Sequence, residues 1–141
     1  MKIRLTLFLL LPLIVHAQTE KTIKLNEKSA EVIFLRKVEL AVRAHDADQL
    51  MTYMEPGYKR SQHDEFLEGK TLQFLTEFFC ANVPFNQISE ARLISYSKSK
   101  ESKNQYDVVF YVSNGKEACD CTFYMIKHPS TGVLTIFSAV G

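Results

Sequence analysis

The stretch Gln105-Tyr106-Asp107-Val108-Val109-Phe110-Tyr111-Val112-Ser113-Asn114-Gly115-Lys116-Glu117-Ala118-Cys119-Asp120-Cys121-Thr122-Phe123-Tyr124-Met125-Ile126-Lys127 decides the fold. On either side of Asn114-Gly115, apolar residues recur at every second position, the period of a pleated strand. Asn114 and Gly115 both tolerate the positive φ that a type I′ turn requires, so the two runs are expected to fold back as an antiparallel hairpin. Alternation then assigns faces. Cys119, Cys121, Phe123 and Met125 share one side, apolar throughout, which should meet the helices. Ala118, Asp120, Thr122, Tyr124 and Ile126 share the other. The preceding strand repeats the division, with Tyr106, Val108 and Phe110 opposite Asp107, Val109 and Tyr111. The sheet therefore has one dry face and one half-apolar face.

Working outward, the turn residues from Pro129 to Gly132 separate a last strand near 132–140, and Ser99 to Asn104 separate an earlier one near 87–98. The hairpin strands themselves fall near 105–113 and 117–127, and the last three strands should form an antiparallel meander.

Before Pro84 the period changes to 3.6. From Glu27 to about Ala44 there is no Gly or Pro, and Phe34, Leu35, Val38, Ala41 and Val42 recur at helical spacing. His45-Asp46-Ala47-Asp48 interrupts this helix, and either aspartate can cap a second, short one carrying Leu50, Met51 and Met54. Glu55-Pro56-Gly57 reads as a terminating turn and Tyr58-Lys59-Arg60 as a short extended piece. Ser61-Gln62-His63-Asp64 has the capping-box pattern and opens a helical run with Phe66, Leu67, Leu72, Leu75, Phe78 and Phe79. Gly69 divides that run, which should stop before Pro84 because a residue preceding proline is pushed out of the helical region. Helices first and antiparallel strands afterwards give an α+β domain, its helices gathered on one face of the sheet.

Upstream of all this, Lys2 and Arg4 precede an apolar run from Leu5 to Val15, and Val15-His16-Ala17 supplies small residues at both ends. These are the parts of a secretory signal, with cleavage expected after Ala17. A bilayer-spanning helix needs roughly twenty apolar residues, and Gln18-Thr19-Glu20-Lys21 arrives too soon for one. The first cysteine is Cys80, too distant for a lipid anchor. The chain thus divides into a signal at 1–17, a polar leader at 18–26 and a single domain at 27–141. A secreted protein, periplasmic or extracellular, is expected.

The sequence holds 17 Lys and Arg against 16 Asp and Glu. Losing Lys2 and Arg4 with the signal leaves the remainder near neutral, with no basic run to hold nucleic acid or an anionic membrane.

Three cysteines, Cys80, Cys119 and Cys121, would enter an oxidising compartment. Cys119 and Cys121 lie two apart on one strand face, so either can meet Cys80 in a disulfide, leaving one thiol over. A zinc site would need three or four convergent ligands, with His63 or His128 joining the cysteines. A redox pair would be expected at a helix start, where the thiol pKa falls, and this pair sits on a strand. Structural cysteines are the simpler reading, and no metal or cofactor is implied. His45, His63 and His128 fall near turns and helix starts and read as solvent-exposed, and no nucleophile elbow or phosphate loop is present.

The order of elements resembles the NTF2-like superfamily, the cone-shaped α+β fold in which a long helix ends at a small acidic turn and a second helix follows. The segment Ala41-Val42-Arg43-Ala44-His45-Asp46-Ala47-Asp48-Gln49-Leu50-Met51-Thr52-Tyr53-Met54 carries this resemblance. A cystatin-like helix-on-sheet is the alternative. The resemblance implies a pocket between the helices and the concave sheet face, and dimerisation through the other face. Its members include isomerases and dehydratases as well as non-catalytic binding domains, so layout does not choose a function.

Two sets of candidate residues follow. Phe34, Phe74, Phe78, Phe79, Phe110 and Phe123 fall on core periods, while Tyr53, Tyr58, Phe79 and Met125 are candidates to line a cavity for a small apolar ligand. Tyr96, Val109, Tyr111, Tyr124 and Ile126 would form an apolar patch on the outer sheet face, of the kind that marks a homodimer interface. The functional expectation is an exported, non-enzymatic binding or interaction domain. A pocket enzyme of isomerase or dehydratase type and a thiol or metal protein are the alternatives.

Overall fold

Ser29 starts the first helix. Its backbone is extended and its hydroxyl oxygen accepts the N–H of Val32 at 3.2 Å, relieving one of the donors that every helix start leaves unpaired. In the computed structural model, which describes residues 24–61 and 70–140, this helix is α1, Ala30–Arg43. The expected secretory signal, its cleavage after Ala17, the first part of the leader, and the residues from Gln62 to Gly69 lie outside the described residues.

The end of α1 sets the position of the next element. His45 has φ 54°, and this left-handed residue lets the N–H of Asp46 reach Ala41 O at 2.9 Å and its own N–H reach Val42 O at 3.1 Å, the paired bonds of a Schellman motif. Asp46 is at once released as the cap of α2, Ala47–Tyr53, accepting the N–H of Gln49 at 2.9 Å. Of the two candidate aspartates, Asp46 caps.

The extended piece expected at Tyr58-Lys59-Arg60 is instead a third helix, α3, Pro56–Ser61. Pro56 takes the first helical position, where its missing N–H is harmless, and the Glu55 carboxylate accepts the N–H of Tyr58 at 2.9 Å. The Glu55-Pro56 pair that read as a stop is therefore a start, and Ser61 closes α3. α4, Thr71–Phe79, buries Phe74, Leu75, Phe78 and Phe79 and ends at Cys80, ahead of Pro84 as expected.

A 3-10 turn, Phe85–Gln87, intervenes before the sheet, held by the Phe85 N–H donating to Thr76 Oγ1 at 2.8 Å. The first strand consequently begins later than residue 87. The strands are β1, Glu90–Lys98; β2, Gln105–Ser113; β3, Ala118–Lys127; and β4, Leu134–Val140. They run antiparallel in the order β1-β2-β3-β4, so the meander includes all four.

The β2–β3 hairpin is present, with a different turn from the type I′ expected. Only Gly115 has positive φ, at 85°. Asn114 keeps negative φ and spends its side chain on the loop, its Oδ1 accepting the N–H of Lys116 at 3.0 Å and of Glu117 at 2.8 Å. The Asn114 N–H meets Glu117 O at 3.1 Å, closing a four-residue loop. Asparagine's capacity to mimic a backbone acceptor won over its tolerance of left-handed φ.

Two register shifts bend the sheet. One lies between Leu93 and Ser95, opposite Phe110 and Val109; the other sets Phe137 as the additional residue opposite Tyr124 and Met125. Bulges increase local twist and curve the strands, which gives the sheet its curvature around the helices.

The division of faces matches the expectation from alternation. Val108, Phe110, Val112, Cys121, Phe123, Met125 and Ile136 are buried against the helices, whereas Asp120 is exposed and Val109, Tyr111, Thr122, Tyr124 and Ile126 are half-buried on the outer side. Phe110 stacks on Phe123 at 5.0 Å, Phe78 lies 6.0 Å from Phe123, and Phe79 stacks on Phe85 at 6.1 Å. Each such ring contributes roughly 1.5–3 kcal/mol on burial, and through Phe78, Phe123 and Phe110 this aromatic column joins the helix layer to the sheet.

Tyr96 is the exception to the outer-face assignment. The bulge at Ile94 reverses the alternation of β1, pairing Tyr96 with the inward Val108. Its hydroxyl meets Ser29 Oγ of the α1 cap at 3.3 Å. Tyr96 therefore belongs to the helix side.

Candidate functional site

The four residues expected to line a cavity sit on the helix side of the sheet in two groups. Phe79 and Met125 have no exposed surface and are core residues. Tyr53 and Tyr58 are half-buried at its margin. Tyr53 meets Phe34 edge-on at 5.3 Å, and Tyr58 lies 6.2 Å from Phe74 and 6.4 Å from Phe78. Burial holds the Tyr58 phenol above its ordinary pKa, so it stays protonated and able to donate.

Cys80 is joined to Cys119. The bridge ties the C-terminus of α4 to β3 and resolves which of the two strand cysteines meets Cys80. Cys121, one pleat further on, is buried with its thiol pushed up to about 12, first by burial. A reactive cysteine needs thiolate at ambient pH, and Cys121 has none to offer. Among the described residues no group of three His, Cys, Asp or Glu side chains could hold a metal ion. His45 hydrogen-bonds Ile88 O at 2.6 Å, His128 meets Thr135 Oγ1 at 3.2 Å, and His63 lies outside the described residues.

Two carboxylates on α1 were not singled out from the sequence. Glu39 is 6% exposed and accepts from Arg36 at 2.7 Å, from Arg43 at 2.9 Å and from the backbone N–H of Leu93 at 2.9 Å. Arg43 also donates through Nε to Ala91 O at 2.9 Å. A signal for this node was available: an acid on the apolar stripe of a helix, with arginine three residues before and four after, is placed to form ion pairs along one face.

Glu31 is the second. It accepts from Tyr106 Oη at 3.1 Å and from Lys127 Nζ at 3.2 Å. Burial acts to raise its pKa, but the hydrogen bonds from its own backbone, Lys127 and Tyr106 outweigh burial and hold the carboxyl below its usual range. Tyr106 is raised in turn, by burial and then by Glu31. A general base works best with a pKa near the operating pH and a free lone pair aimed at substrate. Glu31 is moved away from that range and already engaged, which fits a clasp between α1 and the sheet.

The outer face is organised in rows by the register. Arg92, Tyr111 and Asp120 form one row, with the Arg92 guanidinium 4.7 Å over the Tyr111 ring. Val109 and Thr122 form the next. Ser97, Asp107, Tyr124 and Ser138 form a third, where Tyr124 lies 6.1 Å from Phe137. Among the described residues no hydrogen bond, ion pair or ring contact ties a helix to these side chains. At the end of this face a hollow of about 420 Å³ is lined by Ser97, Lys98, Ser99, Lys100, Glu101, Gln105, Asp107 and Tyr124.

Of the expected outer-patch residues, the structure brings together Val109, Tyr111, Tyr124 and Ile126, adds Phe137, and removes Tyr96. No helix among the described residues is long and apolar enough to cross a membrane. In comparisons with known proteins the chain matches no family model, no curated protein and no solved structure.

Proposed function

We propose that this chain is an exported, non-enzymatic interaction domain of NTF2-like layout that pairs with a second copy of itself through the outer face of its sheet. Export is supported by the apolar run behind Lys2 and Arg4 and by the Cys80–Cys119 bridge, which belongs to an oxidising compartment. The observation that carries the pairing is the half-buried outer face itself, on which Val109, Tyr111, Tyr124 and Ile126 share one side of β2 and β3.

Charge placement favours a second copy as the occupant. Arg92 on β1 and Asp120 on β3 flank Tyr111 on β2 in one row. A two-fold axis along β2 exchanges the places of β1 and β3. It therefore sets Arg92 of each copy against Asp120 of the other, with the tyrosines between. The three strands that overlap about this axis, β1, β2 and β3, at about 4.8 Å spacing and about 3.3 Å per residue, give a face of roughly 400–450 Å². Two copies then bury roughly 800–900 Å² together, the size of a weak, transient association.

Light scattering behind gel filtration should return twice the monomer mass. Tyr111→Glu should return a monomer with an unchanged far-UV spectrum, and Asp120→Arg should weaken the pairing through like charges. A wild-type chain that stays monomeric at tens of micromolar would sink the proposal.

A further inference from the structure

Asn114-Gly115, which closes the β2–β3 loop, also brings together the groups of an intramolecular acyl transfer. Asn114 Oδ1 reaches forward to the N–H of Lys116 at 3.0 Å and of Glu117 at 2.8 Å. The side-chain carbonyl carbon is bonded to that oxygen, so the same two hydrogen bonds draw it forward over the peptide bond that leads to Gly115. The Gly115 N–H donates to Ser113 Oγ at 2.9 Å. That bond lies in the peptide plane and leaves the electrons above the nitrogen, perpendicular to the plane, open to the carbonyl carbon. Gly115 has φ 85°, no Cβ to obstruct the approach, and open space where a Cβ would stand. Residues 115–118 are exposed, so water reaches the loop. Asn26, Asn82, Asn86 and Asn104 precede Glu27, Val83, Gln87 and Gln105, each of which carries a side chain where Gly115 has none.

We propose that Asn114 is a site of spontaneous modification, converted in the folded protein through a succinimide to aspartate or isoaspartate. The Gly115 nitrogen bonds to Asn114 Cγ and gives its proton to water. The bond from Cγ to Nδ2 then breaks, and Nδ2 leaves as ammonia after taking up a proton. The N–H groups of Lys116 and Glu117, already on Oδ1, hold the negative charge that gathers there as the carbon becomes tetrahedral. Proximity along the chain removes the cost of bringing the two groups together. Water next opens the ring. Attack at Cγ restores the main chain and leaves an ordinary aspartate; attack at the backbone carbonyl leaves the chain running through the side chain, as isoaspartate. Aspartate keeps an acceptor for both N–H groups, strengthened by its charge. Isoaspartate adds a methylene to the main chain and upsets the spacing at which the Asn114 N–H meets Glu117 O, 3.1 Å. The reaction needs no second copy of the chain, so it stands or falls apart from the pairing proposed above.

The test follows each asparagine by tandem mass spectrometry of tryptic peptides while the folded protein stands in mildly alkaline buffer, beside a sample held in urea. Asn114 should convert at least about tenfold faster than Asn26, Asn82, Asn86 or Asn104, and its rate in the folded protein should lie within about tenfold of that in urea. Molecules carrying isoaspartate should exchange the Lys116 and Glu117 amide hydrogens faster than unmodified protein, whereas Asn114→Asp should exchange them as the wild type does. The proposal is overturned if Asn114 of the folded protein stays intact after the urea sample has converted, if another asparagine leads, or if Asn114→Asp releases ammonia as fast as the wild type.

Discussion

His45 shows how much one backbone angle carries. Its left-handed φ of 54° ends α1 and turns the chain so that Asp46 can cap α2. A non-glycine residue held there bears a strain of order 1–3 kcal/mol, and histidine recovers part of it through the bond to Ile88 O. His45→Val, branched at Cβ and without that bond, should lower stability by roughly 1–3 kcal/mol. His45→Gly should change it by less than about 1 kcal/mol, because relief of strain offsets the lost hydrogen bond. Urea unfolding of the two variants checks the order. A cap at Asp46 or Asp48 was legible beforehand, because an acid between two apolar periods is a known cap, and the structure chooses Asp46. The positive φ was not, because glycine is its usual marker and the chain has histidine.

At the scale of elements, the reading from sequence succeeded where one period dominated and failed where a single side chain changed the local geometry. The faces of β2 and β3 follow from strict alternation. Tyr96 was misassigned because an unpaired residue in β1 reverses the alternation from that point on, and Ile94-Ser95 carries no glycine to announce it. Likewise α3 was hidden behind Pro56, which stops a helix when it follows one and starts a helix when it sits at the first position.

The clasp between α1 and the sheet makes a prediction at this scale. Glu31 is held below its ordinary range in the folded protein, so its contribution is complete above the unfolded value near 4.5 and drains away as pH falls through the lower folded value. Tyr106, held above its ordinary value of 10, contributes fully below that value and loses its contribution as pH rises through the folded one. Glu31→Gln should therefore flatten the acid limb of a plot of urea midpoint against pH, between about pH 5 and pH 3. A variant whose acid limb keeps the wild-type slope would show that the clasp adds no stability.

For the whole molecule, the switch of period at Pro84 was enough to give the order of layers, and the parity of Cys119 and Cys121 narrowed the bridge to two choices. Which one forms depends on where α4 comes to rest on β3, a tertiary fact with no local trace. The Cys80–Cys119 bridge spans a sequence separation of 39, and closing a loop of that length in the unfolded chain gives an entropic stabilisation of about 4 kcal/mol at most. The double variant Cys80→Ala, Cys119→Ala should lose roughly 2–4 kcal/mol by urea unfolding while keeping its far-UV spectrum. Ellman titration should find no accessible thiol in the native wild type and one in denaturant.

The hydrogen bonds that moor α1 to β1 also close a margin. Arg43 takes Ala91 O, Glu39 takes the Leu93 N–H, and on the opposite side the Glu55 N–H takes Ile136 O. Among the described residues, part of each rim of the meander is thus occupied, leaving fewer bare donors and acceptors on which another chain could extend it. A sheet with both margins engaged in this way has fewer free places from which a fibril could grow.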